Sequence, residues 1–125
     1  MTRKILFLVC LSFSIHAFAQ HETDNWYFGS YAGVSFSSGV PVAFAGSPLY
    51  TNEGSAALSD SDGNLLFYSD GYSIWDRTNT LMPNGTMLNG SSTCTQSALF
   101  VPYPGSDSLY YLFTPPDFVA ASFCY

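Results

Sequence analysis

Asp60, Asp62 and Asn64 stand at alternate positions, the spacing with which a calcium loop presents its first oxygen ligands. An EF-hand would also need Gly at the sixth position and a bidentate Glu at the twelfth. Here Gly63 is fourth and Gly71 is twelfth. A hairpin turn accounts for the same residues, because Asp, Asn and Gly are what tight turns select. Paired carboxylates suggest glycoside hydrolysis when one is held as the acid and the other as base or nucleophile. Asp70 and Asp76 straddle a turn, where both are expected in solvent, and nothing in the sequence sets their acidities apart. His21 is the only histidine after residue 19, so a multi-histidine metal site and a Ser-His-Asp triad both lack parts. Cys94 and Cys124 have no base to activate them other than His21. The expectation is no catalytic residue, no metal site and no cofactor.

Aromatic side chains are the remaining candidates. Trp26, Tyr27, Tyr31, Tyr72 and Trp75 suit a stacking platform for sugars or peptides. Core packing competes for such residues and is expected for Trp26, Phe28, Phe67 and Trp75. Tyr50, Tyr72 and Tyr103 sit beside turn residues and are expected at the surface. Asn84-Gly85-Thr86 and Asn89-Gly90-Ser91 match the N-glycosylation acceptor pattern.

The elements that would position these residues belong to an exported chain. Arg3 and Lys4 precede an apolar run of about 14 residues, too short for a comfortable membrane span, and Ala17-Phe18-Ala19 closes it. Residues 1–19 are therefore read as a signal peptide, with Gln20 as the mature N-terminus and no membrane insertion after cleavage. Loss of Arg3 and Lys4 takes the formal charge from −6 to −8 and leaves one base, Arg77. Phosphate-backbone binding needs clustered Lys and Arg, so nucleic acid is excluded as a partner and anionic membrane surfaces are disfavoured. Cys94 and Cys124 would enter a disulfide-permissive compartment. On successive strands of one sheet they would lie about 9–10 Å apart, beyond the roughly 7 Å limit for a bridge, so two free, partly buried thiols are expected.

The mature part, residues 20–125, reads as all-β. Residues 55–60, 64–69 and 72–75 form a three-stranded antiparallel meander, with Asp62-Gly63 suiting a type I′ turn and Asp70-Gly71 the next turn. A loop dense in Gly, Asn and Ser follows over residues 82–92. Residues 97–101 and 109–113 then return as strands around Pro102-Tyr103-Pro104-Gly105. Ser55-Ala56 recurs as Ser97-Ala98 about 42 residues later, and Trp26-Tyr27-Phe28-Gly29 echoes Phe67-Tyr68 with Gly71 at a similar interval. That period fits propeller-like blades, and a sandwich fits the same strands. Four blades are the usual minimum for closure, so the chain is expected to be an incomplete propeller, truncated at its C-terminus.

An ordered series of short motifs carries a resemblance. It runs through Asn25-Trp26-Tyr27-Phe28-Gly29, Thr51-Asn52-Glu53-Gly54-Ser55-Ala56 and Asp62-Gly63-Asn64-Leu65-Leu66-Phe67-Tyr68-Ser69-Asp70-Gly71. Ile74-Trp75-Asp76, Met82-Pro83-Asn84-Gly85 and Thr95-Gln96-Ser97-Ala98 complete it. From about Asn25 to about Thr114 the chain resembles the N-terminal β-propeller-like region of large secreted Bacteroidetes surface proteins. In those proteins PKD or other immunoglobulin-like modules often follow, with a C-terminal gliding-motility-associated or type B sorting domain for type IX secretion. The resemblance implies cell-surface display or release, with adhesion or gliding-motility roles and an unidentified protein or glycan partner. A carbohydrate-binding module of a polysaccharide-processing system is the other function class. Gly63→Val should damage the first hairpin, because a positive φ there penalises a β-branched residue. An unchanged melting temperature would count against that hairpin.

Overall fold

The computed structural model describes residues 21–115; the expected signal peptide at residues 1–19 and Cys124 lie outside the described residues. Within them the chain is all-β, with eight strands and no helix. Strands β1 (Asn25–Phe28), β2 (Ser30–Ser35) and β3 (Val42–Tyr50) form the first sheet. Strands β4 (Ala56–Ser59), β5 (Leu65–Ser69) and β6 (Ile74–Asp76) form the second, and β7 (Leu99–Pro102) and β8 (Tyr110–Phe113) form the third. All pairings are antiparallel between chain neighbours. Strand β3 has no counterpart in the sequence reading.

Local chemistry sets the turns. At the β4–β5 connection Asp60 N donates to Asn64 O (2.9 Å) and Gly63 N donates to Asp60 O (3.0 Å), with Gly63 at φ +84°. Only one residue of the turn has positive φ. The connection is therefore a type I turn closed by a left-handed residue, and the expected type I′ turn is not formed. After β6 the same device recurs: Asp76 N donates to Thr80 O (2.9 Å), Asn79 N donates to Asp76 O (3.0 Å), and Asn79 has φ +63°. Asn is the residue that tolerates this region best after Gly.

Between sheets, the first strands lie side by side, β1 against β4 and β4 against β7. The joints combine hydrogen bonds and rings. Asn25 Nδ2 donates to Ser59 Oγ and Gly63 O (both 2.9 Å), and Ser55 Oγ donates to Tyr27 O (2.6 Å). Tyr27 stacks on Tyr68 with centroids 4.0 Å apart and planes 10° from parallel, and Tyr68 stacks in turn on Trp75 at 5.5 Å. On the opposite face of the second sheet, Phe67 meets Phe100 (4.7 Å) and Tyr110 (5.0 Å) of the third. The middle sheet is thus covered on both faces.

A loop over residues 88–98 is strapped to the second sheet through backbone. Gly54 N donates to Cys94 O (3.0 Å), Gly90 N to Gly71 O (3.1 Å) and Leu88 N to Tyr72 O (3.0 Å), while the Thr51 hydroxyl reaches Gly54 O and Ser92 O. A Cβ on Gly71 would collide with the Ser97 backbone, so this close approach requires glycine. Cys94 lies in this loop, ahead of β7, and is almost fully buried. It is disulfide-bonded, to a partner outside the described residues. The expectation of two free thiols is corrected: it assumed a strand position for Cys94, and the residue is not on a strand.

Two sequence readings of the repeat part company here. Ser55-Ala56 and Ser97-Ala98 both lead into the first strand of their sheet. Trp26-Tyr27-Phe28 is a first strand and Phe67-Tyr68 a second, so that echo does not mark equivalent positions.

Tyr68 has no exposed surface, and its hydroxyl donates to Asn79 Oδ1 at 2.7 Å. Burial holds its phenol well above the usual tyrosine pKa, with the Tyr27 phenol and Asp76 adding to the effect. Tyr68→Phe should cost about 1 kcal/mol, the net worth of the one hydrogen bond. Tyr68→Ala should cost about 3–5 kcal/mol, as for other large aromatics removed from a core. Urea unfolding of both variants checks the ranking; equal losses would mean that the ring stack contributes nothing beyond the hydroxyl.

Candidate functional site

The acidic side chains at the end of the second sheet are occupied by their own turns. Asp60 Oδ1 accepts from Asp62 N (3.0 Å) and Asn64 N (2.9 Å), and Asn64 Nδ2 donates to both Asp60 oxygens. Asp76 Oδ1 accepts from Thr78 N (2.7 Å), the Thr78 hydroxyl (2.7 Å) and Thr80 N (3.0 Å). These bonds favour the ionised form and lower both carboxyl pKa values, chiefly through the Asn64 amide for Asp60 and the Thr78 hydroxyl for Asp76. Arg77, the only Lys or Arg among the described residues, adds a smaller pull. Asp60, Asp62 and Asn64 form a turn, as the hairpin reading held. No group of three or more potential metal ligands occurs among the described residues.

Asp70 was expected in solvent and is instead buried. Its Oδ1 accepts from Tyr72 N (2.9 Å) and Ser73 N (2.7 Å), which fixes the β5–β6 turn from inside. The loop at residues 88–98 closes on the turn through Gly90 N to Gly71 O and Leu88 N to Tyr72 O, which leaves Asp70 buried while Tyr72 stays exposed. Asp70 and Asp76 therefore sit in two separate turns, each bound to local backbone, and do not face each other across a cleft. His21 Nδ1 is 2.8 Å from Asp24 Oδ2, whose hydrogen bond and charge raise the imidazole pKa.

The proposed aromatic platform is divided by the fold. Tyr27 and Trp75 belong to the internal stack through Tyr68. Tyr31 pairs with Tyr50 at 5.7 Å, and Tyr72 lies exposed on its turn. Trp26 and Phe28 were expected in the core and are 54% and 41% exposed. Alternation along β1 explains this: Tyr27 points to the second sheet, so its neighbours point away, onto a face that no described residue covers. Trp26 is held there by its indole N–H, which donates to Thr23 O (2.7 Å), and by an edge contact with Phe36 at 5.6 Å. A cleft of about 340 Å³ beside it is lined by Trp26, Phe28, Asn25, Ser55 and Ala57 among others. Tyr50, Tyr72 and Tyr103 are exposed, as expected.

Sequence reasoning missed a second aromatic surface. On the third sheet Phe100, Tyr110 and Leu112 turn toward the second sheet, leaving Leu99, Tyr111 and Phe113 about half exposed on the outer side. Tyr111 lies 5.3 Å from Tyr103 and 5.9 Å from Phe113, so the rings run as a ladder. The available signal was the lack of alternation: Leu99-Phe100-Val101 and Tyr110-Tyr111-Leu112-Phe113 are apolar on both faces.

No family model matches the chain, and no curated protein or solved structure matches it either.

Acid stability should report the two Asp turns. A depressed carboxyl pKa contributes stability that is complete above the ordinary value of about 3.9 and is lost as pH falls through the folded-state values. An Asp60→Asn, Asp76→Asn double variant keeps an oxygen acceptor in each turn but cannot titrate. Its melting temperature should therefore fall less steeply than wild type between about pH 5 and 2.5. Parallel pH profiles would show that these carboxylates contribute nothing to acid sensitivity.

Proposed function

We propose that this chain is a non-catalytic interaction module of an exported cell-surface protein, built from propeller-like blades and serving adhesion or gliding motility. The observation that carries the reading is the pair of aromatic outer faces, one on the first sheet around Trp26 and Phe28 and one on the third around Tyr111 and Phe113. Contiguous exposed apolar surface marks contact sites, while the carboxylates that would serve acid–base chemistry are spent on turns. The fan of sheets, with first strands side by side, supports the blade-like reading, because propeller blades meet through their inner strands. The leader at residues 1–19 supports export, and the ordered motifs of residues 25–114 support a place at the cell surface.

Antibody against residues 20–125 should label intact cells, and deletion of the gene should reduce cell attachment or spreading several-fold. Retention in the cytoplasm, or attachment unaltered by deletion, would overturn the reading.

Carbohydrate binding is the second reading, favoured by one observation: Trp26 is fixed by its N–H and by Phe36 with about half its surface open beside a cleft. Sugars stack on indole faces held in this way. Titration with soluble polysaccharides should then change tryptophan fluorescence in wild type and leave Trp26→Ala unresponsive. The same response in both proteins would discard Trp26 as a sugar platform.

A further inference from the structure

The second sheet shows what a covered sheet looks like in this chain. From one face Tyr68, with Trp75 stacked on it, meets Tyr27 of the first sheet; from the other Phe67 meets the third. Its strand β5 reads Leu65-Leu66-Phe67-Tyr68, apolar without alternation, as two covered faces require. The end sheets carry the same kind of sequence and are covered on one face only by described residues. On the outer face of the first sheet, pairing places Trp26 beside Val34 and Phe28 beside Ala32, with Ala43 and Ala45 next on β3. On the outer face of the third sheet, Leu99 pairs with Phe113 and Val101 with Tyr111. None of these ten residues is charged.

We infer that these two faces are the halves of one interface, and that the outer face of the third sheet in one copy of the chain packs against the outer face of the first sheet in a second copy. The inference rests on the blade-like reading above and names its partner. Continuity with the internal joints calls for a further sheet that presents the back of a first sheet, and a second copy carries one. Going along the chain, the forward face of the first sheet meets the back of the second, and the forward face of the second meets the back of the third. A second copy placed next in line presents the back of its first sheet to the forward face of the third. The same polarity of contact is then made a third time. Charge points the same way. The mature chain has a formal charge near −8 from its sequence, and the two faces are where two copies can approach without setting carboxylate against carboxylate. The contact is head-to-tail, joining two different patches, and each copy keeps one free face for the next.

Two variants test the polarity. Trp26→Glu with Phe28→Glu spoils only the first-sheet face, and Tyr111→Glu with Phe113→Glu only the third-sheet face; all four positions are exposed in the protomer. The full chain, secreted with its own leader and purified, should show a mass above the protomer in concentration-dependent sedimentation. Each double variant, with wild-type circular dichroism, should fall to a monomer or lose affinity at least 100-fold. An equimolar mixture of the two variants should restore a one-to-one heterodimer, because each retains the face the other has lost. Wild type that stays monomeric to about 100 μM, a range in which weak specific contacts with Kd near 1 μM would be saturated, overturns the inference. Variants that do not complement overturn it as well, as does loss of association through one face alone, which would indicate a symmetric pair. Surface labelling of cells is independent of all these outcomes, so failure here leaves the module's export and display standing or falling on their own test.

Discussion

Tyr68 is the residue on which the rest of the structure converges. Its ring lies between Tyr27 of the first sheet and Trp75 of its own sheet, and its hydroxyl is fixed by Asn79 in the turn after β6. One buried side chain thus links a sheet joint, a cross-strand pair and a left-handed turn. Few of the described apolar residues are fully buried, so the fold depends strongly on such a joint, because each large ring removes about 150–250 Å² from water. The hydroxyl bond matters for a second reason: a buried phenol without a partner would cost about as much as the bond contributes.

Around that joint, hydrogen bonds do much of the work that hydrophobic burial does in larger domains. Asp60, Asp70 and Asp76 each close a turn by accepting backbone N–H groups, and Thr51 and the glycines at 54, 71 and 90 hold the 88–98 loop against the second sheet. The buried set is correspondingly rich in serine: Ser59, Ser69 and Ser97 have almost no exposed surface. Ser69 meets its needs by donating to Ser73 O and accepting from Gly71 N. This economy has a functional consequence. With the Asp60, Asp70 and Asp76 carboxylates and the Thr51 and Ser69 hydroxyls tied to backbone, the outer sheets offer aromatic contact area at the surface.

Much of the architecture was legible in residue order because its causes are local. The meander at residues 55–76 follows from apolar runs separated by Asp-Gly pairs, and β7 and β8 from the runs on either side of Pro102-Tyr103-Pro104-Gly105. The exposure of Tyr50, Tyr72 and Tyr103 followed from their turn neighbours. Strand β3 was not legible: Gly46 and Pro48 interrupt its pattern, and its pairing partner β2 supplies the register. The turn type at Asp62-Gly63 also escaped, since the Asp60 carboxylate selects a type I geometry by bonding to two later N–H groups.

The sequence by itself determined that the described chain is all-β and where its hairpins turn. These follow from backbone preference and composition, which act over a few residues. Tertiary structure alone decided which face of each strand is covered. Trp26 and Phe28 are exposed while Tyr27 is half-buried because β1 is in the first sheet, which described residues cover on one face only. Asp70 is buried because a loop more than fifteen residues away in the chain closes over it. Cys94 is disulfide-bonded from a loop ahead of β7, a placement that only the fold shows. Coverage depends on what arrives from elsewhere in the chain, and identical alternating strands are compatible with either face being inside.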